Sequence, residues 1–347
     1  MKIEAVHATF PSRRMSNDDI VGLIHRHSAG QFEGDLERTL DKVRRMLQLS
    51  GAVERRWLDA GERPVDLIAS AARGALAESG LAASDIGLLV YVGIGRGFME
   101  PAQSYMVAHA LGWDDVECFD IVDACMSWVR AVHIADSHFR SGRYRHIMVV
   151  NGEFSPLANG SLYPANYALR HAGQLDWTFP SYTVGCAASA VVLSGDEDRP
   201  WQWGFASRPG LADLCTIPIH GWEDFSLATA DRIGRNGAHR FTSFGAELHR
   251  ESPRAIELFQ RRITAPERIK RLFTHTSSYR EWHKIAAAVG LDDRLCCLYP
   301  DHGNLVSASV PAGLFLSLQA GAVRRGDRLA LLVGSAGMSF AAAAFDF

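Results

Sequence analysis

Short, unbroken apolar runs alternate with segments of helical period along this chain, and the alternation occurs twice. In the first half, 86–93 (IGLLVYVG) is a continuous apolar run bounded by turn residues, the pattern of a strand buried on both faces. Residues 147–150, before Asn151 and Gly152, and 187–193, before Ser194 and Gly195, read the same way. Segment 65–79 has apolar positions at helical spacing and stops at Gly80, and 125–139 is a second such segment, ending near Ser141 and Gly142. In the second half, 271–276, 328–333 and 340–345 predict strands, while 281–289, stopped by Gly290, and 306–319 predict helices. The pair RHIMVVNGEF and AASAVVLSG is echoed by DRLALLVGSAGM and SFAAAAFDF, which suggests a duplicated α/β unit. The halves are expected to meet near 196–200 (DEDRP), giving units 1–196 and 197–347. Neither half can bury its sheet alone, so one globule is expected.

The length of 347 residues accommodates two such units at roughly 150 residues each. With 47% hydrophobic and 22% charged residues, the chain is neither disordered nor collagen-like. A net charge of −3 argues against nucleic-acid binding as its main role. No apolar run reaches the roughly 18 residues of a membrane span. The first fifteen residues lack the order of a signal peptide, so a cytoplasmic location without membrane insertion is expected. Six cysteines form no CxxC pair, which suggests neither a zinc ribbon nor a thioredoxin motif, and they are expected to be reduced. The segment 155–182 carries three prolines and aromatic rings that include Tyr163, Tyr167, Trp177 and Phe179, and reads either as a lid or interface segment or as a surface excursion.

Four places offer chemistry. In FDIVDACMSWVR, Cys125 opens a predicted helix, where the positive end of the macrodipole would favour a nucleophilic thiolate; the other reading is a buried core cysteine. In FTHTSSYR, His275 ends a predicted strand, where α/β sheets gather ligands, or is an ordinary polar turn histidine. In DHGNLVSASVP, Gly303 permits a tight turn and Asn304 presents an amide, with His302 as a rival histidine; the alternative is a turn and helix cap. GSAGMSF, 334–340, is a Gly-rich link whose N–H groups suit an oxyanion, or a plain turn. It is not a P-loop, because no Gly-Lys-Ser/Thr follows.

Taken in order, Cys, His, Asn and a Gly-rich end over a duplicated α/β chain resemble the beta-ketoacyl-acyl-carrier-protein synthase III family of the thiolase superfamily, over nearly the whole length. FDIVDACMSW is similar to that family's nucleophile motif, His275 matches the first residue of its His-Gln-Ala-Asn motif, and HGNLVSASVP matches its Gly-Asn segment. GAVERRW resembles its Gly-Ile-x-x-Arg stretch. GFMEPAQS and HTSS are closer to the branch that starts bacterial olefin biosynthesis by joining two acyl chains. Three departures stand out: Thr276 and Ser278 replace the Gln and Asn after His275, and Cys186 replaces an acidic residue.

The resemblance implies a thiolase-like fold layered α-β-α-β-α and a ketosynthase. Cys125 would accept an acyl group from acyl-CoA or an acyl carrier protein, and His275 and Asn304 would complete the catalytic set. The N–H groups of Cys125 and Gly337 are candidates for the oxyanion hole. Arg280, Arg56 and Trp57 would line the pantetheine mouth, with Arg55, Arg261 and Arg262 as further cations for phosphates or an acidic carrier. Glu100, before Pro101, matches a glutamate that reaches into the partner subunit's site as a base, so a homodimer is implied. No metal or cofactor is needed beyond CoA or phosphopantetheine as carrier. The departures point away from primary fatty-acid synthesis. Two other readings are acyl transfer to an alcohol or amine by the same residues, and a non-catalytic partner subunit.

Overall fold

Two five-stranded sheets organise the chain, and they are wound alike. The computed structural model describes residues 1–196, 198, 200–227 and 231–347. Two residues of the expected junction, Glu197 and Arg199, therefore lie outside the described residues. The N-terminal sheet runs Lys2–Thr9, Ala187–Ser194, His146–Glu153, Leu88–Val92, Glu117–Ile121. The C-terminal sheet runs Gln202–Ser207, Ser339–Asp346, Arg328–Ser335, Arg271–Thr274, Leu295–Cys296. In each, the first two pairings are antiparallel and the last two parallel. The strands that echo one another in sequence thus hold equivalent places in the two sheets.

The apolar runs lack alternation because both faces are covered. Leu88, Val90 and Val92 face a central core, while Leu89 and Tyr91 face an outer one. Leu329, Leu331 and Val333 join the central core, and Ala330 and Leu332 pack outward. The helices Ser127–Arg140 and Ser309–Gln319 fill the space between the sheets with Trp128, Val132, Val310 and Leu314. Asn17–Ser28, Leu36–Ser50, Pro64–Ser79 and Gln103–Leu111 cover the N-terminal sheet, and Ser252–Arg262 and Tyr279–Ala288 the C-terminal one. The layers are therefore α-β-α-β-α, the thiolase-like arrangement.

Both central helices start later than their periodicity suggests. The expected helix from 125 is a 3₁₀ turn, Ala124–Met126, followed by helix from Ser127. The expected helix from 306 is likewise a turn, Val306–Ala308, followed by helix from Ser309. Each turn contains a non-glycine residue at positive φ, Ala124 at 45° and Val306 at 50°, a conformation costly for any residue with a Cβ. No helix among the described residues is long and apolar enough to cross a membrane.

Candidate active site

Cys125 lies in the turn between the edge strand Glu117–Ile121 and the central helix. The turn is tied to the other half of the molecule: Met126 N–H donates to Ser335 Oγ at 3.2 Å, and that hydroxyl donates to the Asp123 carbonyl at 3.3 Å. Asp123 N–H donates to Ser127 Oγ at 2.8 Å, closing the turn locally. The helix begins two residues after the cysteine, which is half-buried in a cavity wall. Burial pushes it well above the ordinary thiol range, with Cys215 and Glu153 adding to the effect. The N–H groups of Cys125 and Ala336 act the other way without overcoming burial. This corrects the expectation of a dipole-lowered thiol: desolvation outweighs the helix N-terminus.

His275 follows the strand Arg271–Thr274 and is buried. Its Nε2 stands 3.1 Å from Asn304 Oδ1. Burial takes the imidazole down to about 4; the bond to Asn304 opposes this, His249 adds to it, and the Gly334 backbone opposes it. The ring is therefore neutral at neutral pH. Asn304 Oδ1 also accepts from Val306 N–H at 2.8 Å, which orients the amide and leaves Nδ2 without a protein partner among the described residues.

The Asn304 backbone is clasped by the segment 183–185 of the other half. Asn304 N–H donates to the Thr183 carbonyl at 2.7 Å, and Gly185 N–H to the Asn304 carbonyl at 3.0 Å. Two glycines allow this approach. A Cβ on Gly303 (φ +66°) would lie 2.1 Å from the Thr183 oxygen, and one on Gly185 would lie 2.1 Å from the His302 oxygen.

Cys125, His275 and Asn304 line one cavity of about 720 Å³. Leu175, Phe179 and Pro180 from the 155–182 segment form part of its wall, with Phe241, Phe244 and Leu248. Arg280 lines it too and is exposed. A larger open cleft, about 1120 Å³, lies at the foot of the C-terminal sheet and is lined by charges of both signs, including Arg271, Arg328 and Asp346. It contains none of the three residues above, so we place the chemistry in the smaller, more apolar cavity.

The other expected site residues fall elsewhere. Gly337 is exposed, and its neighbour Ala336 lines the cavity with its amide toward the Cys125 sulfur. Arg56 and Trp57 do not line the cavity, because they lie on a small ribbon, Arg13–Ser16 with Glu54–Trp57, whose alternate residues turn inward. Trp57 is buried and its Nε1–H donates to the Val184 carbonyl at 3.0 Å. Arg55, fully buried, donates to the Tyr182 carbonyl at 2.9 Å. These two hold 182–184, the segment that clasps Asn304. Arg56 donates to the Ser12 carbonyl at 3.0 Å, and Arg261 and Arg262 are exposed on a surface helix. His302 packs on Phe10, away from the cavity. Glu100 is exposed and does not line its own chain's cavity.

Residues 259–347 match the family model described as 3-Oxoacyl-[acyl-carrier-protein (ACP)] synthase III C terminal. An acyl-CoA:acyl-CoA alkyltransferase of Xanthomonas campestris pv. campestris is 25% identical over 342 residues, 92% of this chain and 96% of that protein. A beta-ketoacyl-[acyl-carrier-protein] synthase III of Gloeobacter violaceus is 28% identical over 302 residues, 84% and 86% of the two chains. Over most of its length the chain is thus similar to ketoacyl synthase III proteins and to that alkyltransferase. In fold it is similar to a crystal structure of Xanthomonas campestris OleA with bound lauric acid and lauroyl-CoA, at TM-score 0.79 and 21% identity over 99% of this chain and 98% of that one.

Two of the departures from the family pattern are built into the site. Thr276 is buried; its Oγ1 pairs with Ser309 Oγ at 2.8 Å and accepts from Leu305 N–H at 2.9 Å, so it fastens His275 to the Asn304 turn. Ser278 caps the helix Tyr279–Ala288. Cys186 is buried, and its N–H donates to the Arg56 carbonyl at 2.8 Å. Sequence reading missed His249, which also lines the cavity, and Glu153, a buried carboxyl. His249 has no motif around it, and Glu153 sits in an apolar strand that reads as core.

Proposed function

We propose that this chain is a condensing enzyme. It takes an acyl group from an acyl-CoA or acyl-carrier thioester onto Cys125 and joins it to a second thioester by Claisen condensation, in specialised lipid or secondary-metabolite synthesis. The supporting observation is that Cys125 from one half and His275 and Asn304 from the other share a single apolar cavity. The relative named an acyl-CoA:acyl-CoA alkyltransferase favours two acyl-CoA substrates.

The resting pair is a neutral thiol and a neutral imidazole. As the sulfur attacks the thioester carbonyl, His275 takes the thiol proton and returns it to the departing carrier thiol. The N–H groups of Cys125 and Ala336 receive the tetrahedral oxyanion; one such donor is typically worth about 10²–10³ in rate. The acyl-enzyme persists while the carrier is exchanged. The second thioester's carbonyl then accepts from His275 Nε2 and Asn304 Nδ2, which stabilises its enolate. The α-carbon attacks the acyl carbonyl, and the Cys125 thiolate leaves.

A malonyl-type donor generates the carbanion by losing carbon dioxide. A simple acyl donor needs a base, and Glu100 of a second copy is the candidate. Phe98, Met99, Tyr105 and Val122 are exposed apolar side chains around Glu100 and the open edge strand Glu117–Ile121, which suits pairing with a second copy. Arg280 at the mouth suits carrier phosphates.

The test offers a panel of acyl-CoA and acyl-carrier thioesters and follows intact mass. Wild type is expected to gain one acyl group, and Cys125→Ala none. A β-keto product then identifies condensation, whereas an ester or amide product would identify acyl transfer instead. Unchanged condensation of two simple acyl-CoAs by Glu100→Ala would remove that residue's role.

A further inference from the structure

The N-terminal sheet ends one of its central strands on Glu153, a carboxyl with no solvent contact. Its Oε1 accepts from Ser307 N–H at 3.3 Å and from the Ser307 hydroxyl. That hydroxyl accepts in turn from Asn151 Nδ2 at 2.7 Å. The amides of Ile94 and Gly95 face the same carboxyl, and a Cβ on Gly93 would lie 2.9 Å from Oε1. Oε2 is buried without a partner.

These contacts join three segments. Ser307 belongs to the turn whose first residue, Val306, orients the Asn304 amide. Ile94 and Gly95 open the loop that carries Glu100. The remainder of that loop is held separately, by Arg96 to Asp120 at 3.3 Å and by Gly97 N–H to Gln103 Oε1 at 2.9 Å. The Cys125 turn has hydrogen bonds of its own, through Ser335 and Ser127, and meets Val306 and Ile94 by apolar packing. Removing a group that braces one side of a site misplaces only what it braces, and small misplacements there cost about 10²-fold in rate.

We propose that Glu153 is a positioning residue for the second half-reaction: it sets the Asn304 turn and the Glu100 loop in register, while loading of Cys125 does not require it. This rests on the functional reading above. Burial holds the carboxyl up to about 7, with the Ser307 and loop amides opposing, so a neutral amide of the same shape fits its place.

The experiment measures the two half-reactions separately in the full-length protein: acyl loading by intact mass, and product formation from pre-loaded enzyme with a second thioester. Glu153→Ala is expected to load within about threefold of wild type and to condense at least about tenfold more slowly. Glu153→Gln is expected to restore condensation to within about threefold, because its amide oxygen still accepts from Ser307. Ser307→Ala is expected to resemble Glu153→Ala, and the double variant to be no worse than either, the mark of one coupled pair. Unchanged condensation in Glu153→Ala overturns the proposal. Equal loss of both half-reactions without rescue by Glu153→Gln also overturns it, since that describes a brace for the fold alone. If wild type does not load Cys125, the functional reading falls and this proposal with it, an outcome told apart because it precedes any variant.

Discussion

Cys125 and Ser307 occupy equivalent places in the two halves. Each is the second residue of a 3₁₀ turn, each follows a residue at positive φ, and each precedes a central helix. Each turn is also clasped by the other half's matching strand end: the Cys125 turn by Ser335, the Ser307 turn by Glu153. The halves differ in what the clasp holds. Ser335 bonds the backbone at 123 and 126 and leaves the cysteine side chain to the cavity. Glu153 bonds the Ser307 side chain itself, which is buried and closed off. One backbone device thus turns a cysteine side chain to the cavity in one half and locks a loop in the other. What separates them is which polar groups the clasp consumes.

The largest expected effect removes the free side chain of this pair. Cys125→Ala should abolish acyl-enzyme formation and lower turnover by about 10³ or more, measured by intact mass and product formation, with little change in melting. Next comes the backbone beside the locked turn. Gly303→Ala must part the chain from Thr183, and should cost about 3 kcal/mol or more in urea unfolding while displacing Asn304. If it is tolerated, the clasp at Asn304 is looser than the structure indicates.

The third separates the two clasps by charge. In the folded protein Glu153 keeps its proton up to about 7, whereas the unfolded carboxyl loses it near 4.5. Its contribution to stability is therefore full below the lower value and is lost as pH rises to the upper one. Over that window wild type should lose up to about 3 kcal/mol relative to Glu153→Gln. His275 runs oppositely, because its folded value is depressed to about 4: its contribution is present above the unfolded value and lost as pH falls toward 4. Glu153→Gln should therefore steepen the rise of stability with pH. Burial keeps Tyr91, Cys125 and Cys186, the titratable groups around Glu153, in their neutral forms through this range, and Arg96 and Asp120 are the charged groups near Tyr91. A pH profile of melting that is the same in both proteins would refute the burial argument. The smallest effect tests the shared turn: Ala124→Gly removes the Cβ at φ 45° and should add about 1 kcal/mol of stability without loss of acyl loading.

Much of the architecture was legible in the chain. Buried strands such as Leu88–Val92 and Arg328–Ser335 are marked by unbroken apolar runs, because a strand covered on both faces admits little else. Edge and short strands, Glu117–Ile121 and Leu295–Cys296, were missed, since partial exposure or brevity erases the signal. Motif likeness marked Cys125, His275 and Asn304, and it misjudged Arg56 and Trp57, whose role depends on which side of a two-residue alternation faces the core.

By itself, the sequence determined the duplicated α/β layering and the three residues most worth testing, because periodicity and short motifs are local properties. Only the tertiary structure decided that burial raises the Cys125 thiol, that Ala336 rather than Gly337 faces the sulfur, and that Glu153 meets Ser307 across the halves. Those depend on dielectric surroundings and on contacts between residues 154 or more positions apart, which no local pattern encodes.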